Sequence, residues 1–477
     1  MNYDYDIIFI GAGPAGYVGA IRARQLGLST AVIEKDKAGG VCLNIGCIPS
    51  KALIDRATQF RTLEQLRAFG VKADLTEFDY ERVQASSRSA ADTLSKGVSF
   101  LLKKNTVDYI NGEATVEGAH RVAVRSIADD SVRHLSASAL VIATGSMPRP
   151  MTGFEFDEDR ILSSTGALMM KSLPKSMAII GGGAIGIEFA YILSAFGVQV
   201  QVIELMNRIL PMEDPEVSQF IQTVMEKRGV VFYTRKKAQG LTKDSTGDLR
   251  FSLVSAEGEE PGEALAVEKI LVSAGRLPRT SGLGLEALGV RLDRGYVVVG
   301  DYYETSVSSV YAVGDLVAGE AQLAHVASAQ AELVAERVAA ILGKGPNPVR
   351  KRLDPRYIPQ AVYCEPQVAS FGLKEASLTE QKRPYKVGRF PFRGIGKAVA
   401  VERSEGFIKI LSDPETGEIL GASAVGAEAT ELIHELLVAA QGELTVDEII
   451  DTVHAHPTFS EIIKEASLAS QDRAIHV

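Results

Sequence analysis

The chain has 477 residues, 46% of them hydrophobic and 23% charged, and a net charge of −9. That length exceeds what one core supports and predicts roughly three domains at about 150 residues each, with the balance of an ordinary globular protein. The acidic balance, without any Lys/Arg block, argues against a nucleic-acid partner; no apolar run of about 18 residues occurs and the opening residues are acidic, so neither a membrane span nor a signal peptide is expected and the expected location is cytoplasmic.

Ile7-Ile8-Phe9-Ile10 reads as a buried parallel strand, followed by Gly11-Ala12-Gly13-Pro14-Ala15-Gly16, a helical pattern to Leu26, and a strand Thr30 to Ile33 that ends on Glu34. A G-x-G-x-x-G between strand and helix, with an acid 23 residues beyond its first glycine, has the context of a dinucleotide turn. Its backbone N–H groups and the helix dipole take a pyrophosphate, and Glu34 accepts from ribose hydroxyls. Glycine-rich turns also serve plain β–α packing, so this turn alone leaves both readings open.

Two of the three cysteines follow, in Gly39-Gly40-Val41-Cys42-Leu43-Asn44-Ile45-Gly46-Cys47-Ile48-Pro49-Ser50-Lys51. C-x4-C fits neither the zinc nor the thioredoxin-like spacing, and no second pair completes a metal tetrad. A redox disulfide is the better reading, with two buried apolar cysteines as the alternative. Residues five apart on a regular helix lie roughly 8 Å apart, too far for a relaxed disulfide, so the segment must bend, which Gly46 permits. Pro49 suits the first turn of a helix, placing Cys47 near its positive end, with Lys51 one turn on.

This stretch resembles the redox-active segment of the flavin-dependent pyridine-nucleotide disulfide oxidoreductases, most closely their dihydrolipoamide-oxidising branch, and the likeness extends over nearly the whole chain. The resemblance implies that Cys42 and Cys47 form the redox disulfide, that FAD sits on the first glycine turn, and that Lys51 lies near the flavin in an ion pair with Glu188. A plain first-turn helix acid is the other reading of Glu188.

Residues 58 to 104 read as helical and charge-rich, with a linker near Gly70 to Thr76. Val107 to Ala114 and Ala139 to Ser146 read as strands ending in small residues. The resemblance puts Glu113 and Ala114 near the adenine, and Thr144, Gly145 and Ser146 where the chain leaves the flavin domain, an exit marked by Pro148 and Pro150. Met177 to Ile180 then leads into Gly181-Gly182-Gly183-Ala184-Ile185-Gly186, a helix, the strand Val198 to Ile203, and Glu204, again 23 residues on. Two such turns imply two dinucleotide sites. Against the 2′-phosphate of NADP, Glu204 would cost about 4 kcal/mol at roughly 4 Å and an effective dielectric near 20, which selects NAD. Ala184 stands where the family usually carries a bulkier residue over the nicotinamide pocket, implying a more open flavin face.

The second unit of this kind closes at Ile270 to Ala274, Gly275 and Arg276. Ser309 to Asp315 resembles the family's second FAD motif, in which Asp315 contacts the ribityl chain; an N-cap is the plain alternative. Leu323, Ala324 and His325 open a helix to about Leu342, whose start the resemblance aims at the pyrimidine end of the flavin. Past the linker Lys344 to Pro348, short strands at 361–363, 368–371, 407–411 and 420–425 precede helices near 429–441 and 445–452, an α+β module without a nucleotide turn. Cys364 reads as a buried strand residue. Val453-His454-Ala455-His456-Pro457-Thr458-Phe459-Ser460-Glu461 resembles the family's C-terminal catalytic signature, which pairs Glu461 with His456 as acid/base and leaves His454 as support. Thr458-x-x-Glu461 is also a capping box. No metal is expected, since no further ligand type clusters near the two histidines.

The expected fold is α/β: two Rossmann-like domains, the FAD domain in residues 1–147 and 275–346 with the NAD domain 148–274 inserted into it, and a C-terminal α+β dimerisation domain over 347–477. The resemblance implies oxidation of protein-bound dihydrolipoamide with reduction of NAD+ to NADH, through Cys42, Cys47, His456 and FAD. It further implies a homodimer in which the histidine serves the other subunit's cysteines, working on lipoyl-bearing acyltransferase (E2) or H-type carrier proteins of 2-oxo acid dehydrogenase or glycine-cleavage systems. The alternatives are another NAD(P)H-dependent disulfide reductase of the same fold and a non-catalytic FAD-binding partner protein.

Overall fold

The computed structural model describes residues 3–243, 247–258 and 262–476. The chain divides into two compact units, one of Met1–Ala52, Glu81–Arg149 and Gly275–Leu353, the other of Leu53–Tyr80, Pro150–Ala274 and Asp354–Val477.

In the first unit the strand Tyr5–Ile10 is the centre of a parallel sheet. Thr30–Glu34 and Val132–Ile142 flank it, in registers that pair Ile7 with Thr30 and Ile8 with Leu140. Asp108–Gly118 and Val310–Ala312 lie outside these two. Ile7 and Phe9 enter one core while Ile8 and Ile10 enter another. Burial on both faces is why this strand shows an unbroken apolar run in place of alternation. Helices Pro14–Gln25 and Ala324–Ile341 share the first core through small residues such as Ala20, Ala23 and Ala331, and Arg22 reaches Glu336 at 2.7 Å.

The other face is covered by an antiparallel meander of Asp108–Gly118, Arg121–Ser126 and Val132–Ile142, which feeds Ala114, Val116, Val122 and Val124 into the second core. The strand expected to end at Ala114 therefore runs on to Gly118, because Val116 continues the inward alternation. Glu113 and Ala114 sit inside it. Similarly, the strand expected over 139–146 ends at Ile142, and Ser146 begins a separate short ladder with Arg276–Pro278.

In the second unit Ser176–Ile180 lies between Gln199–Glu204 and Lys269–Val272 in a parallel sheet completed by Val231–Thr234 and Ile161–Leu162. A three-stranded antiparallel sheet, Lys236–Lys243, Leu249–Ser255 and Ala264–Val267, packs Phe251 and Leu253 into the same core as Ala178 and Ile270. The C-terminal part is a five-stranded antiparallel sheet in the order Gln360–Val362, Gln367–Gly372, Ile419–Gly426, Gly406–Ser412, Lys386–Pro391. Helices Ala429–Gln441 and Glu461–Ala469 cover it through Ile433, Leu436, Ile462 and Ile463. A buried charge cluster ties this sheet to the helix Pro215–Lys227: Lys409 reaches Asp214 and Glu216 at 3.0 Å each and Glu375 at 2.8 Å.

Candidate active site

The first glycine turn is built so that the chain leaves room only where a ligand would need it. Gly11 has φ of +108°, and a Cβ there would meet the Ala143 carbonyl oxygen at 2.4 Å, while a Cβ on Gly16 would meet the Gly11 oxygen at 1.8 Å. At Gly13 a Cβ would have nothing nearer than the Gly40 Cα, at 4.0 Å. Gly13 also N-caps the helix Pro14–Gln25 without any side-chain cap, so the first N–H groups of that helix remain available to an anion. Glu34 braces the turn with both carboxylate oxygens, accepting from Ala12 N at 2.7 Å and Asp36 N at 2.9 Å. These residues fit a dinucleotide pyrophosphate.

The cysteine segment is fastened to that same turn. Gly39 N donates to Ala12 O at 2.8 Å, and Gly40 lies so close that a Cβ on it would stand 2.7 Å from the Gly13 Cα. From there a six-residue helix, Gly40–Ile45, carries Cys42, and Cys47 opens the next helix, Cys47–Arg67. Gly46 makes the break between them: a Cβ there would press on the Val41 oxygen at 2.9 Å. The break brings the two sulfurs together, and Cys42 hydrogen-bonds Cys47 as a dithiol. That hydrogen bond, followed by burial, pushes the Cys42 thiol far above its ordinary value against the pull of Lys51.

A second cluster stands beside this pair in the first unit. Arg276 Nε donates to Ser146 Oγ at 2.7 Å and its Nη2 to Ser146 O at 3.1 Å; Ser146 in turn donates to Asp315, and Arg276 lies 3.9 Å from that carboxylate. Burial pulls the guanidinium below its ordinary value, and Cys47 is among the groups whose charge it feels. Thr144 donates to Arg279 O at 2.6 Å, while Gly145 accepts from Arg279 N at 2.9 Å with φ of +70°. Gly275 also has a positive φ, +101°. Leu323 precedes the helix Ala324–Ile341 without a side-chain cap, as Gly13 does its own helix. Glu113 pairs with Lys35 at 3.1 Å and Arg125 at 3.6 Å, and Ala114 points into the core.

The second glycine turn repeats the pattern of the first. A Cβ on Gly181 or Gly186 would meet backbone oxygen at 2.6 Å or 2.0 Å, whereas Gly183 faces open space and leaves the helix Ala184–Ala195 uncapped. Glu204, buried, accepts from Gly182 N at 2.6 Å and Met206 N at 2.7 Å. Glu188, one turn into the helix and also buried, accepts from Tyr363 N at 3.1 Å.

In the C-terminal part Glu461 serves two groups at once. One carboxylate oxygen sits 2.9 Å from His456 Nδ1, and the other accepts from Thr458 N at 2.9 Å. The capping box is only half formed: the helix Glu461–Ala469 begins at Glu461 itself, its N-cap Ser460 makes no side-chain cap, and Thr458 Oγ1 donates to Ala455 O at 2.7 Å instead. The His456 ring is 75% exposed, so with Nδ1 held its Nε2 is the atom placed to exchange a proton. His454 is its opposite: 5% exposed, bonded to Glu435 at 2.8 Å and to Thr452 O at 3.1 Å. Cys364 is buried just beyond its strand, its thiol donating to Pro366 O at 3.3 Å. Among the described residues no three His, Cys, Asp or Glu side chains are grouped to hold a metal.

The comparisons with known proteins agree with this geometry. Residues 5–331 match the family described as pyridine nucleotide-disulphide oxidoreductase, and residues 358–467 match its dimerisation domain. The dihydrolipoyl dehydrogenase of Corynebacterium glutamicum is 42% identical over 98% of each chain, that of Bacillus subtilis 40% over the full length of both. The mitochondrial dihydrolipoyl dehydrogenase 2 of Arabidopsis thaliana is 39% identical over 99% of this chain and 92% of its own. Of the solved structures, LpdA from Mycobacterium tuberculosis has a TM-score of 0.87 at 28% identity, covering 97% of this chain and 98% of its own. The HOCl-induced flavoprotein disulfide reductase RclA from Escherichia coli, as a Cu(II) complex, has a TM-score of 0.84 at 26% identity, over 98% and 99%. Because the matched stretches take in both glycine turns, both cysteines and the His456 segment, the chain belongs to the pyridine nucleotide-disulphide oxidoreductase family, dimerisation domain included.

Proposed function

We propose that the chain is an FAD- and NAD-dependent dehydrogenase of dihydrolipoyl groups, working as a homodimer on lipoyl-bearing E2 or H-type carrier proteins in the cytoplasm. The observation that carries this reading is the cysteine pair fastened to the first glycine turn through Gly39 and Gly40. It ties the redox sulfurs to the place where a dinucleotide would bind. The FAD part comprises residues 1–147 and 275–346, the NAD part 148–274, and the dimerisation part 347–477.

In this reading Gly11, Gly13, Gly16 and Glu34 hold the FAD pyrophosphate and ribose, with Glu113 and Ala114 toward the adenine. Asp315, Lys51, Arg276, Thr144 to Ser146 and the helix start at Leu323 to His325 face the rest of that cofactor. Gly181, Gly183, Gly186, Glu204 and Gly275 take NAD. Bound FAD supplies two-electron transfer between a dithiol and NAD+.

The thiolate is the nucleophile in disulfide exchange. His456 takes the proton of a substrate thiol at Nε2, and Glu461 holds the resulting imidazolium through Nδ1. The substrate sulfur attacks Cys42, the Cys42–Cys47 bond breaks, and Cys47 leaves as thiolate. The second substrate sulfur then closes the lipoyl ring and releases Cys42 as thiol. Lys51 and Arg276 favour negative charge on the sulfur pair, and the buried Glu204 carboxylate repels a 2′-phosphate.

The test is NADH formation from dihydrolipoamide and NAD+, with glutathione and NADP+ as controls, and sedimentation of the same sample. Turnover confined to dihydrolipoamide and NAD+ in a dimer is the expected result. Bound FAD and a reducible bridge without such turnover would reassign the dithiol, and full activity in a strict monomer would remove the shared site.

A further inference from the structure

One face of the helix Tyr80–Lys104 is laid against the cysteine segment. Arg88, Asp92 and Ser95, at i, i+4 and i+7, reach it in turn: Arg88 Nη2 donates to Asn44 O, Asp92 stands 3.8 Å from Lys37, and Ser95 Oγ donates to Ala38 O at 2.7 Å. Asn44 adds its own ties, donating to Ala38 O at 3.0 Å and Gly40 O at 2.9 Å. The segment is thus splinted along its length, and Arg88 holds it between Cys42 and Cys47.

Arg88 does more than a splint needs. Asn44 O is among the last carbonyls of the short helix Gly40–Ile45, which have no partner within that helix, so a neutral donor would suffice to satisfy it. A half-buried guanidinium stands there instead. Among the described residues no carboxylate pairs with it, and its buried Nη1 has no hydrogen-bond partner; the buried Asn44 Oδ1 beside it has none either. The Nη1 end of the cation is closed off from water without a counter-charge, which costs free energy unless the charge is used.

We propose that Arg88 is a positioning residue for the cysteine pair, whose uncompensated charge favours the opened form. When a dithiol reduces the bridge, its two sulfurs join, two electrons and one proton pass to the protein as one thiol and one thiolate, and the remaining proton goes to solvent. The thiolate is the charge that Arg88 stabilises, from a contact two or three residues from either cysteine. This rests on the Cys42–Cys47 redox role proposed above.

FAD-loaded wild type, Arg88→Gln, Arg88→Lys and Ser95→Ala would be equilibrated in dithiothreitol mixtures at fixed pH. Thiols would then be trapped with iodoacetamide and counted by mass. Gln keeps a hydrogen-bond donor and loses the charge; its equilibrium constant for reduction is expected to fall about tenfold, a shift of about 30 mV. A lysine in the same place retains the charge, so Arg88→Lys, like Ser95→Ala, is expected within about threefold of wild type. Equal values in Gln and wild type, or equal falls in Gln, Lys and Ser95→Ala, would overturn the role of charge. If no bridge forms in the wild type, the functional reading fails first and this proposal with it.

Discussion

At the scale of single residues the proposed proton acceptor, His456, is easy to probe, since its ring is 75% exposed. His456→Gln keeps the ring's size roughly and removes its proton affinity. Dihydrolipoamide turnover is expected to fall by about 10²- to 10⁴-fold, while NADH oxidation by an artificial dye, which needs no thiol deprotonation, stays within about threefold. Glu461 lies below the ordinary carboxylate range: partial burial pushes it up, and the contacts from His456 and Thr458 N outweigh that. A carboxyl lowered by folding contributes stability that is present above its unfolded value and lost as the pH falls through the folded one. Stability of Glu461→Gln is therefore expected to fall less than that of wild type between neutral pH and about pH 3, read by denaturant melts. Cys42, Cys47 and His456 were legible because each sits in a short motif with its own chemistry. The link from Ser146 to Arg276 and Asp315 was not, since its partners lie 130 and 169 residues away and no local spacing announces them.

At the scale of elements the strand–turn–helix units were readable end to end. A strand buried on both faces leaves an apolar run, and the close contacts at Gly11, Gly16, Gly181 and Gly186 demand glycine. Gly183 is different, because a side chain there would meet nothing of the protein. Gly183→Ala is accordingly expected to leave the melting temperature within about 2 °C of wild type yet raise the KM for NAD+ at least about tenfold. Unchanged KM would show that no nucleotide approaches this backbone. Several strands escaped the pattern, and two show the physical reason plainly. Lys386–Pro391 is an edge strand diluted by Gly388, Arg389 and Pro391, and Arg121–Ser126 alternates Val122 and Val124 with charge over too few residues to stand out.

At the scale of the molecule the second unit depends on a knot no sequence window contains. The Lys409 ammonium is 6% exposed, yet three carboxylates outweigh the burial that opposes its charge and hold it above its ordinary value. Asp214 also caps the helix Pro215–Lys227 by accepting from Glu216 N at 2.8 Å. Lys409→Met would leave Asp214 buried and unpaired, and a loss of about 3 to 5 kcal/mol in chemical denaturation is expected. Because the ties join residues 214–216 to the C-terminal sheet, hydrogen exchange in the two is expected to accelerate together in that variant. Faster exchange confined to the sheet would show that the two parts open independently.

The twin braces formed by Glu34 and Glu204 carry a lesson for protein engineering. Cofactor preference in such turns is commonly treated as a matter of the one acidic charge, to be erased when NADP+ is wanted. Here the carboxylate is also masonry. Glu204→Ala would strand the buried N–H of Gly182, a loss of about 1 to 3 kcal/mol, and release the part-buried N–H of Met206, loosening the loop meant to receive the new phosphate. Retargeting this enzyme therefore calls for a replacement acceptor before a new cation. A redesign that adds only arginine is expected to yield a weaker protein with little gain in NADP+ use, measurable as a fall in melting temperature alongside kcat/KM for both nucleotides.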